Sequence, residues 1–241
     1  MYKRQTILCD IKSNILFKYL ISIFLISFIS LLLIAQPDIG QTLLVIFCWA
    51  VLIFTSGINI YILLAIFIAG ASLLTYLIIY VPRFDYIQGR IFSFFNRETG
   101  THNFQSDKAI ESITSGGFFG KGIGEGVLKN RVPEAHTDYI ISVISEEFGV
   151  VAIMLILLLF LILIYMVFKK ISFETNDKVK LILIGSISLI LMQATIHVGV
   201  NIRLFPTTGM TLPFLSYGGS SIISTSILAG IILNLTKRKI T

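Results

Sequence analysis

Six apolar stretches, at about 15–35, 40–56, 60–80, 140–168, 179–200 and 216–236, divide the chain, and its polar residues collect in the connections between them. Runs of this length match the roughly 30 Å thickness of bilayer hydrocarbon at about 1.5 Å per residue. Lipid offers the backbone no hydrogen-bond partner, so each run is predicted to be a helix. The expected fold class is an all-α polytopic membrane protein of about six transmembrane helices, a single transmembrane domain over 1–241. A long extracytoplasmic loop, 81–139, separates the third span from the fourth.

Composition sharpens this reading. Hydrophobic residues make up 55% of the chain and charged ones 13%, with a mean hydropathy of +0.89, which excludes an ordinary soluble domain. The net charge is +6, but the basic residues gather at span ends instead of along one face, so no nucleic-acid partner is expected. Lys3, Arg4, Lys12 and Lys18, then Lys169, Lys170, Lys178 and Lys180, then Lys237, Arg238 and Lys239 mark the cytoplasmic side and put both termini there. The first run extends to Ala35 without a small-x-small cleavage pattern, so it reads as a retained span and not a signal peptide. Segments 36–38, 81–139 and 201–215 then share the outer face. The long loop carries seven basic and seven acidic residues, and a connection of that length is usually functional. Cys9 and Cys48 imply no disulfide framework and no cysteine-based metal site.

A carboxylate beside a membrane span is costly unless it serves something, which makes Asp138, in Pro133-Glu134-Ala135-His136-Thr137-Asp138, the leading candidate for chemistry. It can accept a proton from an attacking hydroxyl or hold a metal ion, and it also suits the N-cap of the helix expected from Tyr139. Glu146 and Glu147 lie two turns into that helix. Adjacent residues point about 100° apart, so one at most faces a given cavity, and Glu146 is the one nearer the Asp138 face. His136 and His197 lack a helical metal-binding spacing and read as local hydrogen-bonding groups. The glycine-rich run Gly116–Gly126 lacks the residues of a phosphate loop at Ser115 and Gly122. It reads as closely packed backbone or, through Lys121, as a phosphate contact. Arg90–Phe95 looks interfacial, and Lys108–Ile113 could form a short amphipathic turn. Arg203 opens a hydroxyl-rich stretch through Thr208 to Ser220 and Ser221, broken by Pro206 and Pro213. Irregular backbone at membrane depth is tolerated where it is buried in protein or lines a wet cavity, and this stretch is expected to line one.

Three ordered motifs then stand out: Gln36-Pro37-Asp38-Ile39-Gly40; Pro133 to Asp138 followed by Glu146-Glu147-Phe148-Gly149; and Pro206-Thr207-Thr208-Gly209-Met210-Thr211-Leu212-Pro213 running on to Ser221. Together they resemble the SEDS family, in its FtsW or cell-division branch rather than its RodA branch. The resemblance implies a peptidoglycan glycosyltransferase, a hexosyltransferase that polymerises lipid II on the outer face of the bacterial inner (plasma) membrane and releases undecaprenyl diphosphate. It puts Asp138 at the position of the family's essential outer-loop aspartate and Lys129 at a basic residue before it. Substrate contacts are expected from Lys121, Lys129, Arg203, Glu146, Thr208 and Ser220, with a divalent cation such as Mg²⁺ or Mn²⁺ near the diphosphate. A class B penicillin-binding transpeptidase and other divisome proteins are the implied partners. Asn130 departs from the pattern, since division-branch relatives can carry glutamate there. Family members usually have ten spans, and this chain is expected to begin just before the fifth, as a fragment or the product of a split or decayed gene. A lipid-linked precursor flippase and a non-catalytic divisome scaffold are the competing classes. A flippase would usually place charged groups deep within several spans.

Overall fold

The computed structural model describes residues 15–95, 101–127 and 132–237. Among these residues the fold is all helical. The elements are α1 (Ile15–Ala35), α2 (Ile39–Thr55), α3 (Ile60–Tyr80), α4 (Asp85–Phe95), α5 (Thr101–Gly116), α6 (Ile140–Phe173), α7 (Asp177–Asn201) and α8 (Gly219–Thr236). All six predicted apolar runs are helices. Four of them, α3, α6, α7 and α8, are long and apolar enough to cross a membrane; Tyr19–Ala35 and Ile39–Thr55 are shorter apolar helices. Polar caps set several starts: Asp38 Oδ1 accepts from Gln41 N at 2.9 Å, Asn59 from Tyr61 N at 3.0 Å and Asn176 from Lys178 N at 3.0 Å.

α7 is the central helix, packed by α2, α6 and α8. Its Leu183, Ile187 and Ile190 close with Val167 of α6 and Ile232 of α8 into one buried cluster. Gly185 lets the Leu52 side chain of α2 approach closely, and the Cys48 thiol donates to the Gly185 carbonyl at 3.6 Å. α1 joins through α2, where Trp49 Nε1 donates to Ser22 Oγ at 2.7 Å. Large apolar side chains such as Phe24 of α1, Ile68 of α3 and Leu161 of α6 point outward, as a bundle solvated by lipid requires.

Within the segment 81–139 the described residues include two helices. Arg90–Phe95 belongs to α4, and Lys108–Ile113, expected as one amphipathic turn, lies inside the sixteen-residue α5. α5 packs along the first part of α6.

α6 is not one continuous span. It breaks at Gly149, whose backbone (φ 78, ψ −178) lies outside the helical region. A break frees carbonyls on one side and N–H groups on the other, and at membrane depth these need protein partners. The glycine-rich segment after α5, the strap, supplies them. Lys121 N donates to Glu146 O at 2.8 Å and Gly122 N to Glu147 O at 3.0 Å, while Val150 N and Val151 N donate to Gly117 O and Phe118 O at 3.0 and 3.3 Å. The approach demands glycine. A methyl on Gly116 would overlap the Ser145 carbonyl, one on Gly120 the Glu147 carbonyl and one on Gly149 the Phe118 carbonyl. Of the two readings of Gly116–Gly126, the geometry is that of closely packed backbone.

Gly149→Ala and Gly120→Ala are each expected to destabilise the fold by roughly 1–3 kcal/mol, the cost of a strained backbone conformation, with further loss from the overlap. Gly70→Ala, in α3 with open space around it, is expected to be neutral or stabilising by about 0.5–1 kcal/mol. Thermal unfolding in detergent, followed by intrinsic fluorescence, separates the two outcomes.

Candidate active site

The three connections expected on one face do meet. The first reaches the last where Gly40 lies against Met210 and the Thr208 carbonyl, and Arg90 Nη1 of α4 donates to Thr207 O at 3.2 Å. Arg203, in the left-handed region at φ 58, pairs with Asp107 of α5. Tyr217 N donates to His136 O at 2.9 Å.

Asp138 sits at the centre of this seam. Glu134, at φ 53, forms a tight turn in which its carbonyl accepts from Thr137 N and Asp138 N, both at 3.1 Å. The turn is then tied from outside. Buried Ser216 donates to Thr137 O at 2.7 Å while accepting from Leu212 N at 2.8 Å. Asn201, fully buried at the end of α7, donates to Asp138 O at 3.0 Å and to His197 O at 2.9 Å. His197, one helical turn earlier, shares a proton with Met210 O at 2.7 Å; a carbonyl can only accept, so Nδ1 carries that proton. The reading of His197 as a local hydrogen-bonding group agrees with this. Two polar side chains of α7 thus hold the Asp138 turn and the 206–213 loop in register.

With its backbone fixed, the Asp138 carboxylate is half-buried and faces Gly209: a methyl there would come within 3.7 Å of Oδ2. It does not cap α6, whose N-cap is Tyr139 with no side-chain capping bond. Burial pushes its pKa above the ordinary carboxylate value and the nearby Glu134 charge raises it further, while Arg90 and a hydrogen bond from Thr137 pull it down. Arg90, Thr207 and Thr208 also line an apolar cavity of about 340 Å³ walled by Leu43, Phe47, Phe67, Ile91 and Phe205.

The remaining predicted residues divide. Thr208 is buried at the cavity wall, its hydroxyl without a protein partner. Arg203 is committed to Asp107. Glu146, expected to meet substrate, is wholly buried: Lys121 Nζ lies 3.4 Å from its Oε1, Ser112 Oγ donates to Oε2 at 3.2 Å, and Gly126 covers it. Lys121 and Glu146 therefore hold strap to helix, and Glu147 adds to this by accepting from Gly124 N at 3.1 Å. Ser220 is exposed; its neighbour Ser221 joins the network of Gln193 and Thr211. Lys129 lies outside the described residues. Among the described residues no group of three or more His, Cys, Asp or Glu side chains could hold a metal ion.

A family model described as "Cell cycle protein", covering FtsW, RodA and SpoVE, matches residues 2–240. The chain belongs to this SEDS family. It is 35% identical over 223 residues to a probable peptidoglycan glycosyltransferase FtsW of Caulobacter vibrioides, covering 90% of this chain and 55% of the relative. It is 37% identical over 221 residues to the corresponding protein of Francisella salina, covering 88% and 53%. Among solved structures it matches a chain of a peptidoglycan synthase complex that coordinates polymerization and crosslinking, with TM-score 0.70, 29% identity and coverage of 90% of this chain and 60% of that one. It also matches the rod shape determining protein RodA of Thermus thermophilus, with TM-score 0.59, 28% identity and coverage of 93% and 57%. The chain spans little more than half the length of the curated relatives it matches.

Sequence reasoning singled out this SEDS chain's Asp138 but missed the charged residues that act on it. Arg90 was legible only as a cation among aromatics, and Glu134 only as part of the Asp138 motif. What makes them neighbours of the carboxylate is the packing of α4 and the tight turn.

Ser216→Ala is expected to destabilise the fold by about 1–3 kcal/mol, because it leaves Thr137 O and Leu212 N buried without a partner. Asn201→Leu is expected to do the same through Asp138 O. Ser224→Ala, on an exposed position of α8, is expected to change little; the readout is thermal unfolding of the three variants side by side.

Proposed function

We propose that the chain forms the catalytic part of a peptidoglycan glycosyltransferase of the cell-division branch, polymerising lipid II at the outer face of the bacterial inner membrane. The observation that carries this reading is a half-buried carboxylate, Asp138, under the charge of a guanidinium, Arg90, that itself lines an apolar cavity. Such an arrangement suits a ligand with a sugar, a diphosphate and a long hydrocarbon chain, in that order. The relatives' names as peptidoglycan glycosyltransferases support it.

In the reaction, a sugar 4-hydroxyl attacks the anomeric carbon of the strand held by undecaprenyl diphosphate. The new glycosidic C–O bond forms as the bond to the diphosphate oxygen breaks. Asp138 takes the hydroxyl proton as attack proceeds, and burial makes its carboxylate a stronger base than an exposed one. Arg90 lies where it can offset the negative charge that develops on the leaving diphosphate. The apolar cavity gives the first isoprene units a dry wall, and Gly209, lacking a side chain, leaves the carboxylate face open. In the alternative to the base role, Asp138 and Glu134, whose charge acts on it, are the residues that would hold a Mg²⁺ or Mn²⁺ ion. Such an ion would neutralise diphosphate charge. A class B penicillin-binding transpeptidase and other divisome proteins complete this reading, with both termini of the chain on the cytoplasmic side.

In the complete polymerase, with its transpeptidase present, Asp138→Asn is expected to reduce glycan synthesis from lipid II by at least about a hundredfold, the lower range for loss of a general base. Normal polymer length and rate would reject the assignment. Flipping of labelled lipid II in vesicles without polymer would replace it with transport. The pH profile gives a second check. Activity needs the ionised carboxylate, so it falls as pH drops through the Asp138 pKa. Glu134→Gln removes a charge that raises that pKa and is expected to move the acidic limb to lower pH. Arg90→Gln removes one that lowers it and is expected to move the limb to higher pH.

A further inference from the structure

The strap that seals the break in α6 turns its backbone toward the helix and two aromatic rings away from it. Phe118 and Phe119 are 75% and 84% exposed. Their depth follows from hydrogen-bond register. Val150 N and Val151 N donate to Gly117 O and Phe118 O, whereas Lys121 N and Gly122 N reach Glu146 O and Glu147 O, further along α6 toward the Asp138 turn. α5 and the strap therefore form a hairpin against α6, and Phe118–Phe119 is the tip lying furthest toward the membrane-spanning half.

The level of that tip can be fixed from the other end of α6. Lys169 and Lys170 follow an unbroken apolar run that begins at Val150. The nineteen residues from Val150 to Phe168 rise roughly 28 Å as a helix, close to the ~30 Å of bilayer hydrocarbon. If the lysines sit at one headgroup layer, Val150 lies at the opposite edge of the hydrocarbon, and the tip lies there with it. The surface beside it is already apolar and outward-facing: Val151 is 51% exposed, Met154 62% and Leu155 57%. The charged groups nearby, Lys121, Glu146 and Glu147, all lie on the far side of the tip from the span.

We propose that Phe118 and Phe119 are a lipid-seated anchor, inserted among the acyl chains of the near leaflet just below the headgroups. The occupant of this apolar surface is the bilayer itself. An exposed aromatic pair at that depth gains from leaving water, and the gain falls if the strap lifts away from α6. The bilayer thereby presses the strap onto the helix break, complementing the backbone hydrogen bonds and the Lys121–Glu146 pair. The height of the segment leading to Asp138 is set relative to the membrane surface at which a lipid-linked substrate is presented.

The chain has one tryptophan, Trp49, so a Trp49→Phe background with Phe119→Trp, or in parallel Phe118→Trp, reports on this position alone. Both positions are exposed and tolerate the larger ring. In vesicles of phosphatidylethanolamine and phosphatidylglycerol, emission is expected to be quenched by more than half when the lipids are brominated near the glycerol end of the acyl chains. Quenching should be weaker with bromines near the methyl end and slight with aqueous acrylamide. Strong acrylamide quenching with no effect of brominated lipid would place the rings in water and overturn the proposal. Insensitivity to both reagents would show another protein surface covering them, and would overturn it equally.

Discussion

The arrangement of the half of this protein that carries Asp138 depends on how the two ends of a broken helix satisfy their backbone. At Gly149 the α6 ladder is interrupted near the depth where lipid begins, and neither water nor the helix itself can serve the freed groups. The strap resolves this by lying antiparallel along the break, giving two N–H groups to the carbonyls before it and two carbonyls to the N–H groups after it. Close backbone approach requires glycine at Gly116 and Gly120, and a positive φ favours it at Gly117, Gly122 and Gly124. Once the strap is in place, α5 is bound to α6, and Ser112 of α5 can reach the buried Glu146 carboxylate.

Glu146 is then a consequence of that packing and not an independent feature. A carboxylate with no exposure is costly unless its charge is answered. Here Lys121 from the strap and Ser112 from α5 answer it, so the ion pair is specific to the closed arrangement. Replacing Lys121 alone would leave a wholly buried carboxylate without its charge complement, a larger cost than a surface ion pair contributes.

A second seam, between the end of α7 and the 134–138 turn, completes the region. Its logic is the same: polar side chains on a buried helix end bind carbonyls of irregular segments. His197 fixes Met210, Asn201 fixes Asp138, and Ser216 joins both loops. The rigidity lies in the backbone contacts, which leaves the Asp138 carboxylate free of a cap and subject to opposing fields from Glu134 and Arg90. A carboxylate held this way has its position set by one group of residues and its proton affinity by another. The same molecule is thus organised by two seams, one controlling height against the span and the other controlling the charged turn.

Amino-acid order alone determined the six helices, because apolar runs of membrane length admit no other backbone solution, and it determined that Asp138 stands in a polar loop beside one of them. It also carried the three motifs by which the family is recognised. Only the tertiary structure decided that Glu146 is buried under the strap instead of facing a cavity, that α6 breaks at Gly149, and that the charges of Arg90 from α4 and Glu134 from the tight turn act on Asp138. The physical reason is range. Hydropathy is a local property summed along a segment, whereas burial of a charge and the field at a carboxylate depend on elements far apart in the chain, brought together by packing that no periodicity records.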